Sequence, residues 1–200
     1  MGHPKKSKKK FSRPEHPWRA ARIELEKPLM KDYGLGHKKE IWKADSILRR
    51  FKKQAKLLIA KESEQAKKEE KLLIEKLARL GLISENGKID DILSLNINNV
   101  LDRRLQTLVY KKNLAKTAKQ ARQFIVHGHI DINNTKVNVP SYLVLKEQEH
   151  LIKFNPTSKL HNEEHPERIK KTEVPVTEKK KKPAKKRTKK WQHNKNLDGE

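Results

Sequence analysis

The sequence predicts an α+β protein with a helical N-terminal region, a small module of two helices and a β-hairpin, and basic extended tails at both ends. Apolar residues recur at helical spacing before residue 98, and two short amphipathic segments followed by a strand-like alternation come after it. Lysine-rich runs occupy both termini. The chain therefore divides into an arm at 1–40, helices and a connector at 41–98, the module at 99–158 and a tail at 159–200.

Composition restricts the classes of protein that fit this chain. Only 34% of the residues are apolar and 37% are charged, so the core must be small and local. A net charge of +24 exceeds what solubility requires, and the natural partner of such a charge is a polyanion. The absence of cysteine excludes disulfides and thiolate zinc sites. With no apolar run near ~18 residues and no signal-peptide core, we expect neither a membrane span nor secretion.

The first forty residues are predicted to be a basic extended arm. They contain few apolar side chains, so the segment cannot bury enough surface to fold alone. A flexible, solvated arm is the simpler interpretation, but Phe11 and Trp18 would then have nothing to pack on. We therefore favour an arm that becomes ordered on nucleic acid, with these two rings stacking or packing at its anchor points. The arm residues assigned to nucleic-acid contact are Lys8, Lys9, Lys10, Arg13 and Trp18.

Residues 41–98 are predicted to be mainly helical. An apolar stripe with a 3.6-residue period runs from 44 to 59 and resumes from 73 to 80, where Gly81 ends the helix. The almost wholly polar stretch 61–71 is either a solvated helix or a bend between two helices. Basic residues line the outer face, and Arg49 and Arg50 are assigned to nucleic-acid contact, although helix packing is the simpler interpretation for any single charge.

The first module helix is predicted from Asn99 to about Lys111. Leu101, Leu105, Leu108 and Val109 fall on one side at ~100° per residue. Asn99 is placed to cap the helix, with Asp102 in the first turn, where the helix dipole favours negative charge. The opposite, polar arc contains Arg103, Arg104, Thr107 and Lys111.

The second module helix begins at Thr117, because Gln120 follows at the spacing of a capping box. Ala118, Ala121 and Ile125 form its inner side, and Gly128 ends it as a left-handed C-terminal residue. The outer arc contains Lys116, Lys119, Gln120, Gln123 and His127. Two helices that separate apolar from basic faces in this way suit a module that lies against nucleic acid.

A hairpin follows the second helix. Residues 130–132 alternate like a strand, and 136–139 return as its partner. Asn133 and Asn134 supply the turn, since asparagine tolerates a positive φ.

At these residues the chain closely resembles the S-four family of small-subunit ribosomal proteins in its archaeal form, which carries an RNA-binding module named after it. The family pattern Ser/Thr-x-x-x-Ala-Arg-Gln-x-Ile matches 117–125, and Pro-Ser-Tyr closes the hairpin at 140–142. Asn134 replaces the usual hairpin glycine, and Gln148-Glu149 replaces the usual Gly-Asp before the final strand. The N-terminus also resembles the archaeal family, at Pro4-Lys5-Lys6 and His16-Pro17-Trp18.

The resemblance implies a structural protein of the cytoplasmic ribosome. Family members bind the 5′ domain of 16S-type ribosomal RNA at a multi-helix junction and act early in assembling the body of the small subunit. They lie near the messenger entrance, where contacts with ribosomal protein S-five influence decoding accuracy. No catalysis, cofactor, small-molecule substrate or membrane is implied.

The RNA-binding site is assigned to the polar arcs of the two module helices. Such residues would bind phosphates and 2′-hydroxyl groups of folded RNA by shape, although a solvated charge is the simplest interpretation of any one of them. The assigned residues are Arg103, Arg104, Lys111, Lys116, Thr117, Lys119, Gln120, Arg122, Gln123, His127 and His129.

The residues after 158 are predicted to form a basic tail that is disordered when free, and that either adds nonspecific charge or threads over RNA. His161 to His165 fits the zinc-protease string His-x-x-Glu-His. Pro166 pushes His165 out of the α region, so we predict no metal site.

Two other classes of protein remain open. The same module is appended to RNA-modifying enzymes and tyrosyl-tRNA synthetases, but a catalytic domain of well over a hundred residues would not fit into this chain. A pre-ribosomal RNA processing factor of similar layout would bind precursor RNA without entering the mature subunit.

Overall fold

A computed structural model of the protein describes residues 9–61, 63–162 and 165–168. It confirms the α+β class, with a mostly helical chain and one small antiparallel sheet. The helices are α1 (Ala20–Asp32), α2 (Lys38–Ile59), α3 (Glu64–Arg79), α4 (Ile89–Ser94), α5 (Ile97–Asp102), α6 (Leu105–Lys111) and α7 (Ala118–Val126), and the strands are β1 (Ile130–Ile132), β2 (Thr135–Lys136) and β3 (Ile152–Phe154).

The predicted extended arm is wrong from residue 20 onward, because α1 and the start of α2 occupy that part of the chain. Helix α1 has no apolar stripe that would have predicted it. The side chain that this helix buries is the carboxylate of Glu26, which is 5% exposed. Glu26 accepts a hydrogen bond from the Trp42 indole at 3.0 Å and pairs with Arg22 at 3.2 Å and Lys38 at 3.4 Å. A polar anchor of this kind is invisible to a search for hydrophobic periodicity.

Helices α2 and α3 contain the predicted apolar stripe and build the first core. Ile41, Leu48 and Phe51 of α2 are buried, as are Leu73 and Leu77 of α3. The chain bends between these helices, and residues 64–71 of the polar stretch form the largely exposed first half of α3, so each of the two interpretations holds for part of the stretch. The bend ends where Ser63 Oγ accepts a hydrogen bond from the Ala66 amide at 3.2 Å and so caps α3.

The predicted first module helix is two helices, α5 and α6. Asn96 occupies the N-cap position, whereas Asn99 lies inside α5 and Asp102 is its last residue, so both capping assignments were wrong. Arg104 has extended backbone angles and pairs as a β-bridge with Leu143. The Leu105 amide also donates to the carbonyl of Tyr142 at 2.8 Å. The helix therefore breaks because a distant segment of the chain takes its hydrogen bonds.

The sheet has the strand order β2-β1-β3, with both neighbours antiparallel to the central strand. The hairpin turn is confirmed, with positive φ values of 49° at Asn133 and 60° at Asn134. The second strand is shorter than the predicted 136–139. Gly128 has a φ of 73° just after α7, as predicted. Together α6, α7 and the sheet enclose the second core.

The ordered module extends further than predicted. Residues 159–161 form a short 3-10 turn, and Leu160 is buried in the module core at 5% exposure. The boundary at 158 was therefore wrong, because one apolar residue beyond it completes the core. Predictions for Lys8, for the lysine-rich segment 179–190 and for the two glutamates of the His-x-x-Glu-His string lie outside the described residues.

Candidate nucleic-acid interface

The outer face of α7 carries the polar side chains that its sequence predicts. Lys119 and Gln123 are exposed there, and His127 is exposed at the helix end. The opposite side packs Ala121, Phe124 and Ile125 into the module core. Thr117 Oγ1 accepts a hydrogen bond from the Gln120 amide at 3.1 Å and fixes the first turn, as the capping spacing predicts. The basic face is therefore held on a rigid helix.

Lys111 of α6 is exposed, as predicted. Its ammonium group lies 3.1 Å from Asp102 Oδ1, which also accepts a hydrogen bond from the Tyr33 hydroxyl at 3.1 Å. Burial, followed by the charge and the hydrogen bond of Asp102, raises the pKa of Tyr33 to about 12. At neutral pH the hydroxyl therefore stays protonated and holds the carboxylate beside Lys111.

Arg104 does not lie on the exposed arc, so its predicted position was wrong. It is 4% exposed, and its guanidinium group donates to Glu40 of α2. Arg122 Nη1 donates to both oxygens of the same carboxylate, at 2.9 and 3.1 Å, and its side chain is one-third exposed. Burial alone would raise the pKa of Glu40, but the hydrogen bonds and charges of the two arginines outweigh burial, and the pKa is lowered.

Arg103 and Thr107 also point inward, contrary to prediction. Arg103 Nη1 lies 2.9 Å from Glu149 Oε2, and its Nη2 donates to the Val144 carbonyl at 3.1 Å. Thr107 is 7% exposed and donates to the Leu101 carbonyl at 2.7 Å. The angular count assumed one continuous helix, so the break after α5 turned these side chains towards the protein.

Gln106 is an important residue that the sequence analysis did not identify. It is 1% exposed, and its amide nitrogen lies 3.1 Å from the Tyr33 carbonyl, 3.0 Å from that of Gly34 and 2.9 Å from that of Ala118. This one amide group fixes the loop after α1 to the start of α7. A glutamine within an apolar run is the only sequence signal for it.

Comparison with known proteins places this architecture in a family. Residues 103–150 match the S4 domain model. The chain is 51% identical over 172 residues to the small ribosomal subunit protein uS4 of Picrophilus torridus, a match that covers 84% of this chain and 94% of the relative. The uS4 protein of Methanococcus aeolicus is 50% identical over 169 residues, which cover 84% and 96% of the two chains. The chain belongs to the uS4 family. The resemblance found in the sequence, including its archaeal form, is thereby confirmed.

His127 and His129 differ in their surroundings within this uS4 module. His127 is exposed, whereas His129 is half-buried, with its Nδ1 2.8 Å from Ser158 Oγ. Burial lowers the pKa of His129, and the nearby charges of His127, Lys136 and His165 lower it further. The neutral form of the His129 imidazole is therefore favoured.

Two assigned residues of the uS4 module contact a later segment of the chain. Lys116 Nζ donates to the Pro166 carbonyl at 3.1 Å, and Gln120 Nε2 donates to Glu167 Oε2 at 2.8 Å. The same segment places the Arg168 guanidinium 4.9 Å from the centre of the Phe154 ring. These contacts leave Lys119, Gln123 and His127 as the most accessible part of the α7 face.

The assigned arm residues that the structure describes lie at the surface. Trp18 is 88% exposed, and Lys9, Lys10, Arg13 and Arg50 are exposed as well. Arg49 is exposed and pairs with Asp45 at 2.7 Å. Phe11 packs at 6.2 Å from the Trp42 ring, so it anchors the arm on the protein.

Membrane-spanning helices and metal-binding clusters are both absent from the described part of the chain. Across residues 9–61, 63–162 and 165–168, no helix is long and apolar enough to cross a membrane. Over those same residues, no three His, Asp or Glu side chains come together as a metal-binding group.

Proposed function

We propose that this chain is a structural, non-catalytic protein of the small ribosomal subunit that binds the ribosomal RNA of that subunit. One observation carries the proposal: an exposed basic face lies on a rigid helix of an S4 domain, in a chain about half identical to small ribosomal subunit proteins over most of its length. The net charge of +24 supports a polyanionic partner.

The accessible face of α7 is the proposed centre of recognition. Lys119, Gln123 and His127 recur every fourth residue, so they share one side and span ~12 Å at 1.5 Å per residue. Lysine would pair with phosphate oxygens, while glutamine and histidine would bond to phosphates and 2′-hydroxyl groups. Because the opposite side of the helix is packed in a core, these groups have fixed positions and would read the shape of a folded RNA.

The buried arginines have a different proposed role. Arg103 and Arg104 hold the module together and hold it against α2, and only Arg122 of the Glu40 cluster keeps enough exposure to reach RNA. Direct contacts are proposed for the accessible assigned residues, with Lys111 at the end of α6. The basic arm and tail would add affinity through counterion release.

The finer assignments rest on the family resemblance alone. The chain would bind the 5′ domain of 16S-type RNA at a multi-helix junction and join early in assembly of the subunit body. In the mature cytoplasmic ribosome it would lie near the messenger entrance. Its neighbours there would include ribosomal protein S-five, with an influence on decoding accuracy.

Crosslinking with sequencing in cells, paired with sedimentation of ribosomal fractions, tests this function. We expect one copy per mature small subunit, with crosslinks from α7 near the 5′-domain junction. Presence in precursor particles alone would instead identify a processing factor. Crosslinks spread over many unrelated RNAs would show that the chain binds by charge without specificity.

Two charge-reversal variants test whether the α7 face is the RNA-binding surface. Lys119→Glu should weaken binding to a small-subunit ribosomal RNA transcript by more than tenfold. Lys67→Glu is the matched control, because Lys67 is exposed on α3, and it should change the affinity less than threefold. Equal losses from the two variants would contradict the assignment to α7.

A further inference from the structure

A cleft of about 360 Å³ lies between α2 and the segment 140–143, beside the α7 face. Its apolar lining includes Ala44 and Ile47 of α2 and Leu143 of the facing segment. Its cationic lining includes Lys39 and Lys43, exposed one turn apart on α2, and Arg122 of α7. The cleft thus combines an apolar surface with a cationic rim.

The charge in the cleft favours an anion. Among the described residues that line it, Glu40 is the one carboxylate, and the guanidinium groups of Arg104 and Arg122 neutralise it. Within the cleft, no further carboxylate among the described residues balances the positive charges of Lys39 and Lys43. A phosphate entering between them meets no repulsive group.

We propose that this cleft receives one unpaired nucleotide of the bound RNA. Its base lies against Ile47 and Leu143, and its phosphate lies between Lys39, Lys43 and Arg122. This inference rests on the proposed function and extends it from the α7 face to a site for a single nucleotide.

Size and continuity support a nucleotide rather than another ligand. The volume lies at the small end of the ~300–1,000 Å³ range of small-molecule sites, and so admits one nucleotide but not a duplex. Protein recognition of RNA favours unstacked bases that leave the helix and meet side chains. Arg122 belongs both to α7 and to the cleft, so an RNA strand on α7 is already beside the opening.

Two variants of the full-length chain test the proposal. Ser141→Trp fills the cleft from its exposed rim, with Ser84→Trp in an exposed turn as its control. Lys39→Ser with Lys43→Ser removes the rim charge, with Lys67→Ser and Lys71→Ser on α3 as its control. The probe is a small-subunit ribosomal RNA transcript, and thermal melting of each variant checks its folding.

We expect Ser141→Trp to weaken binding about tenfold and to lower the dependence on salt, because the phosphate leaves the cleft together with the base. The double lysine variant should weaken binding and lower the salt slope by ~0.7–0.9, the change expected for the loss of one phosphate contact. Both controls should stay within twofold. One unpaired nucleotide should be protected from chemical probing by the wild-type chain but not by Ser141→Trp.

Affinity and protection equal to those of the controls would overturn the nucleotide site. The lysine variants change only surface residues and should fold. Their affinities therefore still test the nucleotide site if Ser141→Trp does not fold. A photoreactive side chain at position 141 that crosslinks to protein in assembled subunits, and not to RNA, would overturn it as well. In these cases the wild-type chain would still bind the transcript, whereas failure of the proposed function would abolish wild-type preference for that RNA.

Discussion

Glu40 is the residue on which the charged contacts between α2 and the module converge. Its side chain is 14% exposed, and its two partners are Arg104, which lies just before α6, and Arg122 of α7, respectively 64 and 82 residues further along the chain. An isolated carboxylate at this depth would be strongly unfavourable. The pair of arginines removes that penalty and joins three helices through one group.

Replacement of this carboxylate should be costly. We expect Glu40→Gln to lower the free energy of unfolding by ~3 kcal/mol, because it leaves two guanidinium groups with a weaker partner. Asp45→Asn is the control, since its pair with the exposed Arg49 should contribute less than ~1 kcal/mol. Urea unfolding at pH 7 measures both, and similar losses would contradict this role for Glu40.

Glu40→Gln should also change how the stability of the protein depends on pH. The folded state lowers the pKa of Glu40 below its ordinary value of 4.5, so the contribution is fully present above that value and is lost as the pH falls through the lower folded pKa. Between pH 5 and pH 3 the wild type should therefore lose more stability than Glu40→Gln.

At the scale of elements, local signals predicted α7 and the hairpin well. The cap at Thr117, the inner apolar side and the end at Gly128 are all set by residues within the helix or next to it. The break between α5 and α6 could not be predicted in this way, because its hydrogen bonds come from Tyr142 and Leu143. The predicted polar side of α7 is exposed because its signals are local, whereas Arg103 and Arg104 point inward because the helix break is not.

The loop between α1 and α2 provides a test at this scale. Gly34 has a φ of 59°, and a Cβ there would lie 2.9 Å from Ala118. We expect Gly34→Ala to destabilise the protein by at least ~1–2 kcal/mol from the left-handed backbone alone, with the clash adding to this cost.

Gly36→Ala is the matched control for that loop. Its Cβ would meet Arg122 at 3.4 Å, an ordinary contact, so the midpoint of thermal unfolding should barely move. A Gly34→Ala variant as stable as Gly36→Ala would show that α7 does not pack against the loop as described.

At the scale of the whole molecule, a small packed core is combined with a large positive charge. The two features suggest different sources for the specificity and for the affinity of RNA binding. The two cores are built from residues 35–101 and 105–160, whereas lysine-rich sequence continues to both ends of the chain. If the chain binds RNA as proposed, the packed part would recognise the shape of the RNA, and the lysine-rich ends would add nonspecific attraction. The division into a packed part and basic ends could be predicted from the sequence. The boundaries of the packed part could not, because each depends on a single buried residue, Glu26 near one end and Leu160 near the other.

Removal of residues 171–200 should therefore change affinity more than selectivity. We expect the shortened chain to bind small-subunit ribosomal RNA more weakly and with a shallower salt slope, because fewer counterions are released. Its preference over an unrelated RNA of equal length should be retained. Filter binding over a series of salt concentrations measures both quantities, and a lost preference would assign specificity to the tail.

The three hydrogen bonds of Gln106 set an order of events during synthesis. The carbonyl groups of Tyr33 and Gly34 leave the peptide exit tunnel 73 and 72 residues before the side chain that bonds them. Ala118, the third partner, follows Gln106 by 12 residues. The loop after α1 must therefore wait for the second half of the chain before its contacts form. In nascent chains released before α7 has emerged, the loop after α1 will lack its link to Ala118.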